Sequence, residues 1–153
     1  MKAAPPGWPR IASSLFYQDA QAAIPWLARA FGFVVELQVD GPDGSVLHSQ
    51  LSYGDGSSRG LIMVGEGRGD RARRFGVPLC SPRDCGAANT QALMLYVDDV
   101  LAHCEQARSA GARIVLEPVL QDYGPDYWAD RCYGALDLDG HLWWFCERVR
   151  NPA

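Results

Sequence analysis

Apolar positions along the chain change period again and again, and the changes mark out elements. Residues 10–17 (RIASSLFY) carry strand character and end at Asp19, a residue suited to cap a helix because its carboxylate accepts the free N–H groups of the first turn. Ala20, Ala23, Ile24, Leu27 and Phe31 follow at helical spacing and form one apolar stripe. Pro25 falls inside that stripe and predicts a kinked or delayed helix, and Gly32 is placed to stop it. Strands are expected at 33–39 (FVVELQV), 46–53 (VLHSQLSY) and 60–64 (GLIMV), separated by the turn sequences Gly41-Pro42-Asp43-Gly44 and Gly54-Asp55-Gly56. From about residue 65 to residue 90 periodicity disappears, and Gly, Arg, Pro, Asp and Cys dominate. Such a stretch reads as a functional or mobile connecting loop.

The pattern then restarts. A strand is expected at 91–97 (QALMLYV). Asp98 or Asp99 caps a helix with the stripe Val100, Leu101, Cys104 and Ala107, and Gly111 ends it. Strands follow at 112–117, 131–137 and 141–147, with a loop rich in Tyr, Pro and Trp before the last two and an Asp139-Gly140 turn between them. Laying Phe16-Tyr17-Gln18-Asp19 over Tyr96-Val97-Asp98-Asp99 superposes the two halves. The chain is one βαβββ unit written twice. The expected organisation is a Pro-rich lead-in at 1–9, a first module at 10–65, a linker loop at 66–90 and a second module at 91–148, together one α+β domain. A unit with one helix covers one sheet face, so pairing two units leaves a concave sheet surface suited to a small molecule.

Composition narrows the partners. The chain has 153 residues, 48% hydrophobic and 21% charged, which is globular composition with enough length for a core. A net charge of −4 gives no reason to expect nucleic acid or an anionic membrane surface as partner. No apolar run reaches the roughly 18–20 residues that span a bilayer, and the start MKAAPPGWPR lacks the apolar segment of a secretion signal. Five cysteines, an odd number without framework spacing, fit reduced thiols in a cytoplasm. A Cys80–Cys85 bond within the loop is the alternative.

The duplicated pattern, with AFGF at 30–33, YVDD at 96–99 and YWADRCYGALDLDGHLWWF at 127–145, resembles the vicinal oxygen chelate superfamily, which includes glyoxalase I, ring-cleaving dioxygenases and the bleomycin and fosfomycin resistance proteins. The last stretch is most similar to the glyoxalase-like and bleomycin-resistance-like branch. The resemblance implies paired βαβββ modules and a homodimer. It also implies a place for metal ligands: a His on the first strand of each module and a Glu on each last strand. Those positions carry Ala12, Ala92, Trp144 and, in 60–64, apolar residues. None offers the imidazole, carboxylate or thiolate that ligation needs, so neither a metal nor another cofactor is expected.

Other chemistry is thinly represented. The paired acids Asp98-Asp99 and Asp137/Asp139 stand where caps and turns need them. Gly65-Glu66-Gly67-Arg68-Gly69 lacks the helix and the Lys-Ser/Thr ending of a phosphate loop. Arg68, Arg71, Arg73 and Arg74 make a basic cluster, read as a solvated loop or as a lid that attracts an anion. His48 shares a strand face with Val46 and Gln50 and is the one candidate for proton transfer. Cys132 and Cys146 read as small buried hydrophobes.

The aromatic residues carry the functional expectation. Counting by two along the strands puts Phe16, Met94, Tyr96, Leu142 and Trp144 on the sheet face opposite the helices, with Trp143 and Phe145 turned to the core. Tyr123, Tyr127 and Trp128 belong to the loop that would cover that face. The expected function is metal-independent binding or sequestration of a small, partly aromatic molecule, as in the drug-sequestering resistance proteins. The alternative is a lyase, isomerase or dioxygenase with an atypical metal site or a His48-based acid–base site.

Overall fold

A computed structural model describes residues 2–67 and 76–152. The chain divides into two compact units, residues 1–86 and 87–153. The Arg68, Arg71, Arg73 and Arg74 cluster, and the end of the Gly65–Gly69 stretch, lie outside the described residues.

The first unit contains β1 (Ser13–Tyr17), α1 (Ala20–Phe31), β2 (Val34–Asp40), β3 (Val46–Tyr53) and β4 (Gly60–Glu66). Its sheet has the order β1-β4-β3-β2, with β1 parallel to β4 and the other pairs antiparallel. The Asp19 carboxylate accepts from the Ala22 N–H, and Gly32 ends the helix at φ 76°, a conformation glycine adopts without strain. Pro25 neither delays nor divides α1, which starts at Ala20 and runs through to Phe31. Ala20, Ala23, Ile24, Leu27 and Phe31 are buried as their spacing predicts, together with Trp26, Leu15, Tyr17, Leu51 and Val64. A short 3-10 turn at Pro82–Cys85 closes this unit.

The second unit repeats the order: β5 (Ala92–Tyr96), α2 (Val100–Ser109), β6 (Arg113–Asp122), β7 (Ala129–Leu136) and β8 (Leu142–Arg150). Its sheet order is β5-β8-β7-β6, the same topology. Asp99 caps α2 by accepting from the Leu101 and Ala102 N–H groups, both at 3.0 Å. Several strands run further than the periodicity predicts, β4 to Glu66 and β7 back to Ala129 among them, and two run furthest. β6 continues to Asp122 through a register shift near Leu116, and β8 continues to Arg150. Both gains matter below, because the extra residues reach the site.

The helix side of the second sheet is a stacked aromatic core. Trp143, Phe145 and Tyr133 are fully buried, with Tyr133 and Phe145 rings 5.0 Å apart and nearly parallel. His103, on α2, stands 4.5 Å from the Phe145 ring, and its Nδ1 meets the Tyr133 hydroxyl at 2.7 Å. His103 is thereby a packing residue of the helix–sheet interface.

The cysteine pattern departs from the reduced-thiol expectation. Cys80 is bonded to Cys85 and Cys132 to Cys146, and only Cys104 is free, buried on α2 where desolvation pushes its thiol pKa up. The sequence cannot show which residue of β7 faces which residue of β8, and that register makes the second pair.

Candidate functional site

The turn between β7 and β8 sets the register of everything that follows. Asp137 is buried, and its carboxylate accepts from the Asp139 N–H (3.1 Å), the His141 N–H (2.9 Å) and the indole N–H of Trp143 (2.9 Å). One side chain thus fixes the turn and anchors the core tryptophan. Asp99 and Asp137 are capping and turn residues, in keeping with their positions in the sequence.

With Trp143 pinned on the helix side, Trp144 must emerge on the opposite face. Four directly opposed pairs share that face of β7 and β8, and three of them line the site: Gly134 against Trp144, Cys132 against Cys146, and Asp130 against Arg148, with Leu136 against Leu142 beyond them. Each of the three does something different. At Gly134 a Cβ would come within 2.8 Å of the Trp144 ring, so only glycine lets the indole lie flat across β7. Cys132 and Cys146 are joined across the strands, with Cα atoms 4.1 Å apart. Arg148 and Asp130 form an ion pair between a guanidinium about one-third exposed and a carboxylate that is nearly buried. The bond to Asp130 raises the Arg148 pKa further above an already high value.

Around this floor lies a cleft of about 590 Å³, lined by Met94, Tyr96, Gln121, Tyr123, Trp128, Asp130, Cys132, Trp144, Cys146 and Arg148. All of these belong to the second unit. The Arg148 guanidinium lies 5.2 Å from the Tyr96 ring centre and 5.6 Å from that of Trp128, within cation–π range of both. The Tyr96 hydroxyl donates to Asp130 at 3.1 Å and also accepts from Arg148, which joins the wall to the floor. Tyr123 and Trp128 pack together at 5.4 Å on the loop that rims the cleft. Arg150 ties the root of that loop by gripping the Asp122 carboxylate and the Gly124 carbonyl. That grip, with the Gly124 N–H, holds the Asp122 pKa down at about 2.

Of the residues singled out in the sequence, Met94, Tyr96, Tyr123, Trp128 and Trp144 come together in this cleft. Leu142 is half-buried on β8 beside Ala92, one step beyond Trp144, and is not among the lining residues. Phe16 belongs to the first unit. There it packs over Gly65 of β4, where a Cβ would stand 3.7 Å from its ring. His48 also lies in the first unit, half-buried on β3 with its Nε2 3.0 Å from the Gln50 side-chain nitrogen. Sequence reasoning missed Arg148, Asp130 and Gln121. Continuing the count of two from Trp144 through Cys146 would have reached Arg148, but β8 was expected to stop at 147.

The positions at which the resemblance implies metal ligands do not fit a metal. Ala12 precedes β1, Ala92 opens β5, and Trp144 lies across Gly134. Glu66 and Glu147, on the last strands of the two modules, accept from the Val46 and Val100 N–H groups, and Asp130 is paired with Arg148. Among the described residues no group of three or more His, Cys, Asp or Glu side chains is placed to hold a metal ion.

Two copies of a βαβββ module, each a four-stranded mixed sheet carrying one helix, define a class of α+β protein. The chain belongs to the Glyoxalase/Bleomycin resistance protein/Dioxygenase superfamily, whose family model matches residues 9–145. An uncharacterised protein of Mycobacterium tuberculosis strain H37Rv is 30% identical over 143 residues, which cover 94% of this chain and 76% of that one. Among solved structures, TioX from Micromonospora sp. ML1 is similar at a TM-score of 0.62 and 30% identity, over 91% of this chain and 95% of that one. A glyoxalase-related enzyme from Fulvimarina pelagi shares the fold at a TM-score of 0.63 and 15% identity, over 90% of this chain and 87% of that one. No helix among the described residues is long and apolar enough to cross a membrane.

Proposed function

We propose that the protein binds, and thereby sequesters, a small and partly aromatic molecule in the cleft of the second module, without a metal or cofactor. One observation carries this reading. The sheet face is paved with Trp144 on Gly134 and walled by Met94, Tyr96, Tyr123 and Trp128, while the hydrogen-bonding groups converge on Arg148 and Asp130. Flat apolar surfaces beside a few fixed polar groups are what a planar ligand requires, since stacking and burial supply affinity and the polar pair supplies orientation. Sequestration needs no nucleophile or general base, and Asp99 and Asp137 are already engaged in structure.

Titrating intrinsic tryptophan fluorescence with a panel of planar aromatic compounds tests the proposal. The expected result is quenching by at least one compound, a matching rise in melting temperature, and loss of both in Trp144→Ala. A panel that leaves fluorescence and melting temperature unchanged overturns it. The same reading has the chain acting as a homodimer. Val34, Val35, Leu37 and Val39, all exposed on the edge strand β2, support self-association, and light scattering would give the mass directly.

A further inference from the structure

We propose that the Cys132–Cys146 pair is a thiol–disulfide exchange site in the floor of the cleft, with low-molecular-weight thiols as its reactant. The argument begins with placement. Both cysteines lie on the open face of the second sheet, in the middle of the three opposed pairs that line the site. Cys132 and Cys146 are themselves nearly buried, at 8% and 3% exposure, and they line a cleft of about 590 Å³, which is room for a small thiol. Arg148, paired with Asp130, follows Cys146 by two residues and lines the same cleft.

The chemistry balances with that reactant alone. A thiolate attacks one cysteine sulfur, the S–S bond breaks, and the other cysteine leaves as thiolate and takes up a proton. A second small thiol then attacks the mixed disulfide. It releases the small-molecule disulfide, and the first cysteine is protonated in turn. Two small thiols are oxidised and the cysteine pair is reduced by two electrons.

Reduction has a steric consequence. Bonded sulfurs sit about 2 Å apart, whereas unbonded ones need van der Waals separation, on the order of 3.5–4 Å. With Cα atoms only 4.1 Å apart, the freed thiols must separate by side-chain rotation within the lining of the cleft. The pair therefore alters the cleft that holds it. Resting on the binding function proposed above, a planar ligand and a small thiol compete for the same floor, and each state of the pair binds the ligand differently.

The test uses the whole chain, purified without reductant. Samples are incubated with reduced glutathione under native conditions, quenched in acid, unfolded, alkylated with N-ethylmaleimide and mapped by peptide mass spectrometry. Cys104 should carry one adduct throughout as internal reference, and Cys132 and Cys146 should gain adducts in step as glutathione rises. Adducts at 132 and 146 without glutathione overturn the proposal, as does their absence until the protein is unfolded before reduction. Proflavine titrations then compare the oxidised and reduced protein, with Cys132→Ser/Cys146→Ser as a form that cannot respond. At least a threefold difference in affinity between redox states, absent in the double variant, is expected, and equal affinities overturn the coupling to the ligand. If proflavine and the wider planar panel bind neither form, the binding function falls, and the exchange site is still decided by the adducts.

Discussion

The two modules share a topology and differ in how their last two strands meet. In the first, β3 and β4 pair in register at three positions, Leu51–Ile62 to Tyr53–Gly60. Beyond them the buried Ser49 hydroxyl takes over: it donates to the Val64 carbonyl at 2.6 Å and accepts from the Val64 N–H at 2.8 Å. In the second, β7 and β8 stay paired from Ala129–Arg150 to Leu136–Leu142. Apart from a register shift between Ala129 and Asp130, seven consecutive pairs stay in register, which puts side chains directly opposite one another, and opposed side chains can stack, bond covalently or form an ion pair. The second module uses that freedom for three different pairs on one face. The first module uses a side chain to complete the backbone pairing itself. The same fold thus forms a lined cleft where the in-register ladder is longer.

The largest test of this contrast is Trp143→Ala. Removing a fully buried indole that also donates to Asp137 should cost about 3–5 kcal/mol and unfold the second module first, as read by chemical denaturation with near-ultraviolet circular dichroism. Ser49→Ala is the counterpart in the first module. It leaves the Val64 N–H and carbonyl without their partner, for a loss of about 1–3 kcal/mol in the same measurement. The two glycines come next. Gly134→Ala forces the Trp144 ring off β7 and should weaken binding of a planar ligand about tenfold, ~1.4 kcal/mol, whereas Gly65→Ala meets Phe16 at ordinary contact distance and should leave that binding unchanged. The smallest effect is on pH. The folded Asp122 carboxyl titrates at about 2, against an ordinary value near 3.8, so its link to Arg150 strengthens the rim fully above about pH 4 and is lost as pH falls toward 2. Protection against hydrogen exchange at 123–128, relative to the intrinsic rate at each pH, should fall across that window, and Arg150→Ala should weaken this pH dependence.

Much of this architecture was legible before any coordinates. Asp19, Asp99 and Gly32 announce helix ends through local chemistry, and local chemistry is what a sequence displays directly. The opposite facing of Trp143 and Trp144 follows from period two alone. What stayed hidden depends on neighbours in space. The Cys132–Cys146 bond needs the register of β7 on β8, and the flattening of Trp144 needs Gly134 across from it. Arg148 and Gln121 were missed because β8 and β6 continue past the point where apolar alternation fades. There, pairing with a neighbouring strand sustains the extended backbone, and side-chain pattern no longer reports it.

The Asp137 turn bears on the order in which the second module assembles. It closes β7 on β8 over a short, local loop, while β5 reaches β8 only after roughly fifty intervening residues have been gathered in. Loop-closure entropy favours the hairpin, so the floor of the cleft forms ahead of its Met94–Tyr96 wall. For that interval Trp144 and both cysteines stand uncovered, and the cysteines meet across the strands before anything encloses them.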